Sequence, residues 1–105
     1  MTQIYVSIGN SDDKLTQKEW YRFCDDLVSI LDDFAEDDRI YGQWYSLPNA
    51  KWQNMVASIE INVSQVDNLR DVLSQLAAEY RQDSIALQPG TAELITPKNT
   101  TEEKK

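Results

Sequence analysis

The sequence predicts a single α+β domain in which four strands and two amphipathic helices alternate. Residues 16–34 and 64–80 carry apolar residues at three- and four-residue steps, the spacing that lines up one face of a helix. Strand-forming residues occupy the segments around these two stretches, at residues 3–8, 39–46, 52–63 and 84–88. With 105 residues, of which 41% are hydrophobic, the chain is long enough for one modest core.

The first helix has the clearest signals in the chain. Thr16 and Glu19 stand three residues apart and predict a capping box, with Leu15 and Trp20 as a hydrophobic staple across the helix start. The apolar stripe of this helix comprises Trp20, Phe23, Cys24, Leu27, Leu31 and Phe34. The opposite face is acidic, and the acidic residues at 36–38 are unfavourable beside a helix C-terminus, which helps to end the helix.

The second half of the chain predicts a hairpin followed by a helix and a last strand. Residues 39–46 and 52–63 flank a turn at residues 47–50. On the second of these strands, the residues expected to face the helices are Met55, Ala57, Ile59, Ile61 and Val63. Ser64 with Asp67 predicts the start of the second helix. Its expected buried stripe comprises Val66, Leu69, Leu73, Leu76, Ala77 and Tyr80.

Two details of the sheet stay open. The strand at residues 39–46 presents either Tyr41 and Tyr45 or Ile40 and Trp44 to the side away from the helices, depending on its register. Residues 91–95 form either an extension of the last strand or a small extra strand.

The order β-α-β-β-α-β has one economical solution, a ferredoxin-like sandwich. Its four antiparallel strands lie in the spatial order 4-1-3-2, and both helices cover one face of the sheet. Residues 1–95 are expected to form this domain, and residues 96–105 a flexible polar C-terminal tail.

Charge and composition narrow the function classes. The net charge of −8 and the scattering of the ten basic residues argue against direct nucleic-acid binding. The one cysteine, Cys24, has no partner for an internal disulfide, and the N-terminus lacks the pattern of a signal peptide, so we expect a cytoplasmic protein with no membrane segment. The absence of histidine removes the commonest general base and metal ligand, so we assign no catalytic residue, metal or cofactor and regard an enzyme as the less favoured class.

An acidic surface on the first helix is the preferred binding site. Its residues are Asp25, Asp26, Asp32, Asp33 and Glu36. Such a face either keeps the protein soluble as a solvated helix or docks on a partner protein with a basic surface. We expect a non-enzymatic interaction protein that acts as an inhibitor or regulator.

The loops at one end of the predicted sheet form an alternative ligand site. The residues expected there are Asn10, Ser11, Asp12, Asp13, Lys14, Trp52, Arg81, Asp83 and Ser84. Their carboxylates suit a cation such as Mg²⁺, but no recognised metal spacing is present. The same residues are also ordinary for helix starts, turns and surface ion pairs, so a purely structural role remains open.

A third possibility is a module that forms a homodimer through the face of the sheet away from the helices. Tyr5, Ser7, Val56, Ser58 and Glu60 are expected on that face. Aromatic residues there favour protein contact or self-association over base stacking, because the basic residues that accompany RNA binding are missing.

Three segments resemble small uncharacterised acidic proteins of bacteria and their phages. They are MTQIYVSIGNSDDKLTQKEW at the N-terminus, WQN at residues 52–54 and RQDSIA at residues 81–86. The resemblance implies a role in the conflict between host and phage, for example as an inhibitor of a defence nuclease. It implies no catalytic residues.

Overall fold

The computed structural model describes residues 2–10, 14–45, 53–88 and 93–97, apart from the side chains of residues 42–45 and 93–94. The helices are α1 (Gln17–Phe34) and α2 (Val66–Glu79), and a short 3-10 turn (Val63–Gln65) precedes α2. The strands are β1 (Thr2–Gly9), β2 (Tyr41–Tyr45), β3 (Asn54–Ile61), β4 (Ile85–Gln88) and β5 (Glu93–Ile95). The prediction of an α+β fold is therefore confirmed.

The described strands form one antiparallel sheet in the order β2-β3-β1-β4-β5. Strand β1 lies in the middle and pairs with β3 along its whole length, from Thr2 opposite Ile61 to Gly9 opposite Asn54. The sheet has a fifth strand beyond the four that the sequence predicts, because residues 93–95 pair with β4. This answers the question left open for residues 91–95, of which residues 91 and 92 lie outside the described residues.

One side of the sheet and both helices share a single apolar core. The strand residues in this core are Ile4, Val6, Ile8, Met55, Ala57, Ile59, Ile61, Ile85, Leu87 and Ile95. The helical stripes join them through Trp20, Phe23, Cys24, Leu27, Leu31, Val66, Leu69, Leu73, Leu76 and Ala77. Because the strands bury alternate residues and both stripes belong to the same core, α1 and α2 cover the same face. We call the other side the open face of the sheet.

The start of α1 follows the prediction, whereas the start of α2 does not. The Thr16 hydroxyl accepts from the Glu19 N–H at 3.1 Å, and the Glu19 carboxylate accepts from the Thr16 N–H at 3.0 Å. Before α2, Asn62 rather than Ser64 accepts a capping bond, from the Ser64 N–H at 3.0 Å, and this bond caps the 3-10 turn. The helix α2 itself follows Gln65, which makes no side-chain capping bond. Val63 is 65% exposed, so its predicted place among the buried residues of β3 is wrong, since the strand ends at Ile61 and the chain turns away.

A β-bulge settles the register of β2 in a way that neither alternative anticipates. Tyr41 lies opposite Ser58 in the backbone register, but Trp44 lies opposite Val56, so the alternation shifts between them. A bulge inserts one extra residue into a strand and therefore reverses which residues share a face. Positions 41 and 44 thus both pair with residues of β3, Ser58 and Val56, that alternate with its core residues and belong to the open face.

The chain remains tied to α2 after β5. The Ser74 hydroxyl donates to the Thr96 carbonyl oxygen at 2.7 Å. Most of the predicted tail, residues 98–105, lies outside the described residues.

Candidate functional site

The loop end of the sheet brings three of the predicted ligand-site residues together. The Lys14 ammonium lies 3.2 Å from an oxygen of the Asp83 carboxylate and donates to the Arg81 carbonyl oxygen at 3.0 Å. These residues are about seventy positions apart in the chain, and the sheet topology makes them neighbours, as the sequence predicts. The charges of Lys14 and Asp83 pair with each other, whereas Arg81 contributes only its backbone carbonyl to this contact.

Arg81 connects the end of α2 to the start of α1. Its backbone is left-handed, with φ of 57°, and the flanking bonds from the Gln82 N–H to the Ala77 carbonyl (2.9 Å) and from the Arg81 N–H to the Ala78 carbonyl (3.2 Å) form a Schellman motif. Its guanidinium lies 3.3 Å from the Glu19 carboxylate. Arginine thus occupies the position where glycine is usual.

The Glu19 carboxylate takes part both in the capping box and in the ion pair with Arg81. One carboxylate oxygen closes the capping box with Thr16, and the other receives Arg81. The backbone hydrogen bond from Thr16, followed by the hydrogen bond from Arg81, lowers the pKa of Glu19 below its usual value. The carboxylate is therefore held in its charged form by structural contacts.

Asn10 is fully engaged in closing its own loop. Its side-chain oxygen accepts from the Leu15 N–H at 3.0 Å, and its side-chain NH₂ donates to the Leu15 carbonyl at 3.1 Å and to the Gln53 side chain at 2.6 Å. An asparagine amide has two donor hydrogens and one acceptor oxygen, and all three have partners here. This favours a structural role for Asn10.

The remaining members of the predicted ligand site contribute no described cluster. Ser84 is half-buried just before β4, whereas Ser11, Asp12, Asp13 and Trp52 lie outside the described residues. Among the described residues, no group of three or more histidine, cysteine or acidic side chains is placed to hold a metal ion. The described contacts at this end of the sheet join three chain segments: the loop and helix start at residues 10–19, the residue before β3, and the connection after α2.

The acidic face of α1 divides into a structural residue and exposed ones. Asp26 is half-buried and accepts a 2.5 Å hydrogen bond from the Tyr80 hydroxyl, so it joins α1 to α2. Burial, followed by this hydrogen bond, raises the pKa of Tyr80, and the Tyr80 ring stacks on Phe23 with centroids 4.6 Å apart. The other four predicted residues are exposed: Asp25, Asp32, Asp33 and Glu36. We call these four the acidic α1 surface.

The acidic α1 surface has no cationic partner in the described part of the chain. The ion pairs formed there join Lys14 to Asp83, Arg81 to Glu19 and Arg70 to Asp67, and none includes one of the four carboxylates. The two cations of α1, Lys18 and Arg22, lie in its first half. Three of the four carboxylates lie in or just after its last turn. This distribution of charge is the reverse of the one that the helix macrodipole favours, with anions at the N-terminus and cations at the C-terminus.

The turn after α1 adds a carboxylate that is not among the five predicted residues of the acidic face. Asp37 accepts from the Arg39 N–H at 3.2 Å and also from the Tyr41 hydroxyl. The hydrogen bond from Tyr41 is the main reason why the pKa of Asp37 is lowered. The run of three acidic residues at 36–38 was visible in the sequence, but the bond that orients Asp37 joins it to a strand whose register was unknown.

The open face of the sheet carries a shallow groove of about 450 Å³. The described residues that line it are Tyr5, Ser7, Val56, Ala86 and Gln88. Tyr5 and Tyr41 are 44% and 37% exposed on this face. Ser58 lies between them and is buried, and it accepts a 3.0 Å hydrogen bond from Gln3. The predicted positions of Tyr5, Ser7 and Val56 on the open face are confirmed.

Cys24 lies in the core under α1. It is 1% exposed, and burial raises the pKa of its thiol to about 12. The thiol therefore stays protonated near neutral pH, which makes it a poor nucleophile.

No described helix is long and apolar enough to cross a bilayer. No protein-family model, curated protein or solved structure matches the chain. The resemblance to small acidic proteins of bacteria and their phages therefore stays a prediction from the sequence.

Proposed function

We propose that the protein is a non-enzymatic interaction module that docks on a basic surface of a partner protein through the acidic α1 surface. The observation that carries the proposal is that Asp32, Asp33 and Glu36 are exposed, lack a cationic partner among the described residues and crowd the C-terminal end of α1. Each anion near a helix C-terminus costs about 0.3–1 kcal/mol.

Solubility alone does not account for this placement. Acidic residues anywhere on the surface would keep the protein soluble, and near a helix N-terminus they would also stabilise the fold. When a partner supplies cations at this end of the helix, they offset the unfavourable interaction between the carboxylates and the helix C-terminus. A concentrated anionic patch also speeds association by steering a positively charged partner.

The pairing at the loop end weighs against the alternative of a ligand- or metal-dependent enzyme. Lys14 pairs with Asp83, and Arg81 pairs with Glu19. The side-chain amide of Asn10 is hydrogen-bonded to Leu15 and Gln53. These contacts support a structural role for the described part of that cluster. The acidic α1 surface is therefore the better candidate for binding.

The proposal extends to the fold class, the location and the biological setting. The order of elements and strands supports a ferredoxin-like sandwich extended by β5. A buried free thiol at Cys24 suits a reducing compartment such as the cytoplasm. The sequence resemblance favours a regulator of host–phage conflict, for which a basic nucleic-acid-binding channel would be a suitable partner surface.

The test compares two charge-matched variants of the full chain. Asp32→Asn/Asp33→Asn removes two charges from the acidic α1 surface, whereas Asp71→Asn/Glu79→Gln removes two exposed charges from α2. Each variant and the wild type is used to capture proteins from a bacterial lysate, and the affinity of each captured protein is then measured at increasing salt. The proposal expects a partner that the wild type and the α2 variant bind equally and that the α1 variant binds at least tenfold more weakly, with all affinities falling as salt rises.

Two results would reject the proposal. One is that every captured protein binds the two variants equally. The other is an affinity for the partner that does not change with ionic strength, because exposed charges are screened over about 8–10 Å at ordinary salt.

A further inference from the structure

We draw no further inference here: the strongest candidate, the shallow groove on the open face of the sheet beside Tyr5 and Ser7, carries nothing because nothing in the structure shows what covers it.

Discussion

Replacing Asp32 and Asp33 by asparagine is expected to make the folded protein more stable. Both residues are exposed and lie in the last turn of α1, which contains no basic residue. Asparagine is similar to aspartate in shape and in helix propensity, so the substitution changes mainly the charge. Removing one anion from the C-terminal turn recovers about 0.3–1 kcal/mol, so the double variant should gain roughly 0.6–2 kcal/mol.

The gain should be visible in thermal and urea unfolding followed by circular dichroism at low ionic strength. At about 4–8 °C per kcal/mol for a domain of this size, the melting temperature should rise by several degrees. Added salt should stabilise the wild type more than the variant, because the unfavourable interaction is screened.

Single variants of α2 provide controls of opposite sign. Glu79→Gln removes an anion from the last residue of α2 and should also stabilise, whereas Asp67→Asn removes one from its first turn, where it also pairs with Arg70, and should destabilise. Unchanged or reduced stability of Asp32→Asn/Asp33→Asn, with the two α2 controls behaving as stated, would refute the electrostatic argument for the acidic α1 surface.

Three other perturbations test contacts within the domain. Tyr80→Phe keeps the ring on Phe23 but removes the hydroxyl that donates to Asp26. It should lower the free energy of unfolding in urea by about 1–2 kcal/mol. A double-mutant cycle with Asp26→Asn that gives additive losses would contradict this pairing. Asn10→Ala leaves the N–H and carbonyl of Leu15 without their partner and should cost about 1–3 kcal/mol, so a loss within experimental error would show that the loop closes without Asn10. Because the folded-state pKa of Glu19 is lowered, its contribution is present above the ordinary value of 4.5 and disappears as the pH falls through the folded-state pKa. The stability difference between wild type and Glu19→Gln, measured between about pH 3 and pH 7, should therefore shrink at the acid end, and a difference that stays constant with pH would be the contrary result.

The local elements of this protein follow from the sequence because their signals are local. The α1 stripe from Trp20 to Leu31 and the capping box at Thr16 depend on residues three and four positions apart, so their geometry is set within one helical turn. The same holds for the period-two pattern of β1 and for the stripe of α2. The excess of acidic residues on the outer face of α1 is likewise a property of the sequence alone.

Contacts between distant segments were decided by the tertiary structure. The bulge in β2 depends on pairing with β3, and no local pattern reports a one-residue shift in register. Asn62 caps the 3-10 turn because β3 ends at Ile61, where the chain turns towards α2. The pairing of Asp26 with Tyr80, which separates one acidic residue from the exposed ones, and that of Glu19 with Arg81 each join residues more than fifty positions apart. Such pairs arise only when the fold brings separate segments side by side, because the chemistry of a side chain does not specify which distant partner it will meet.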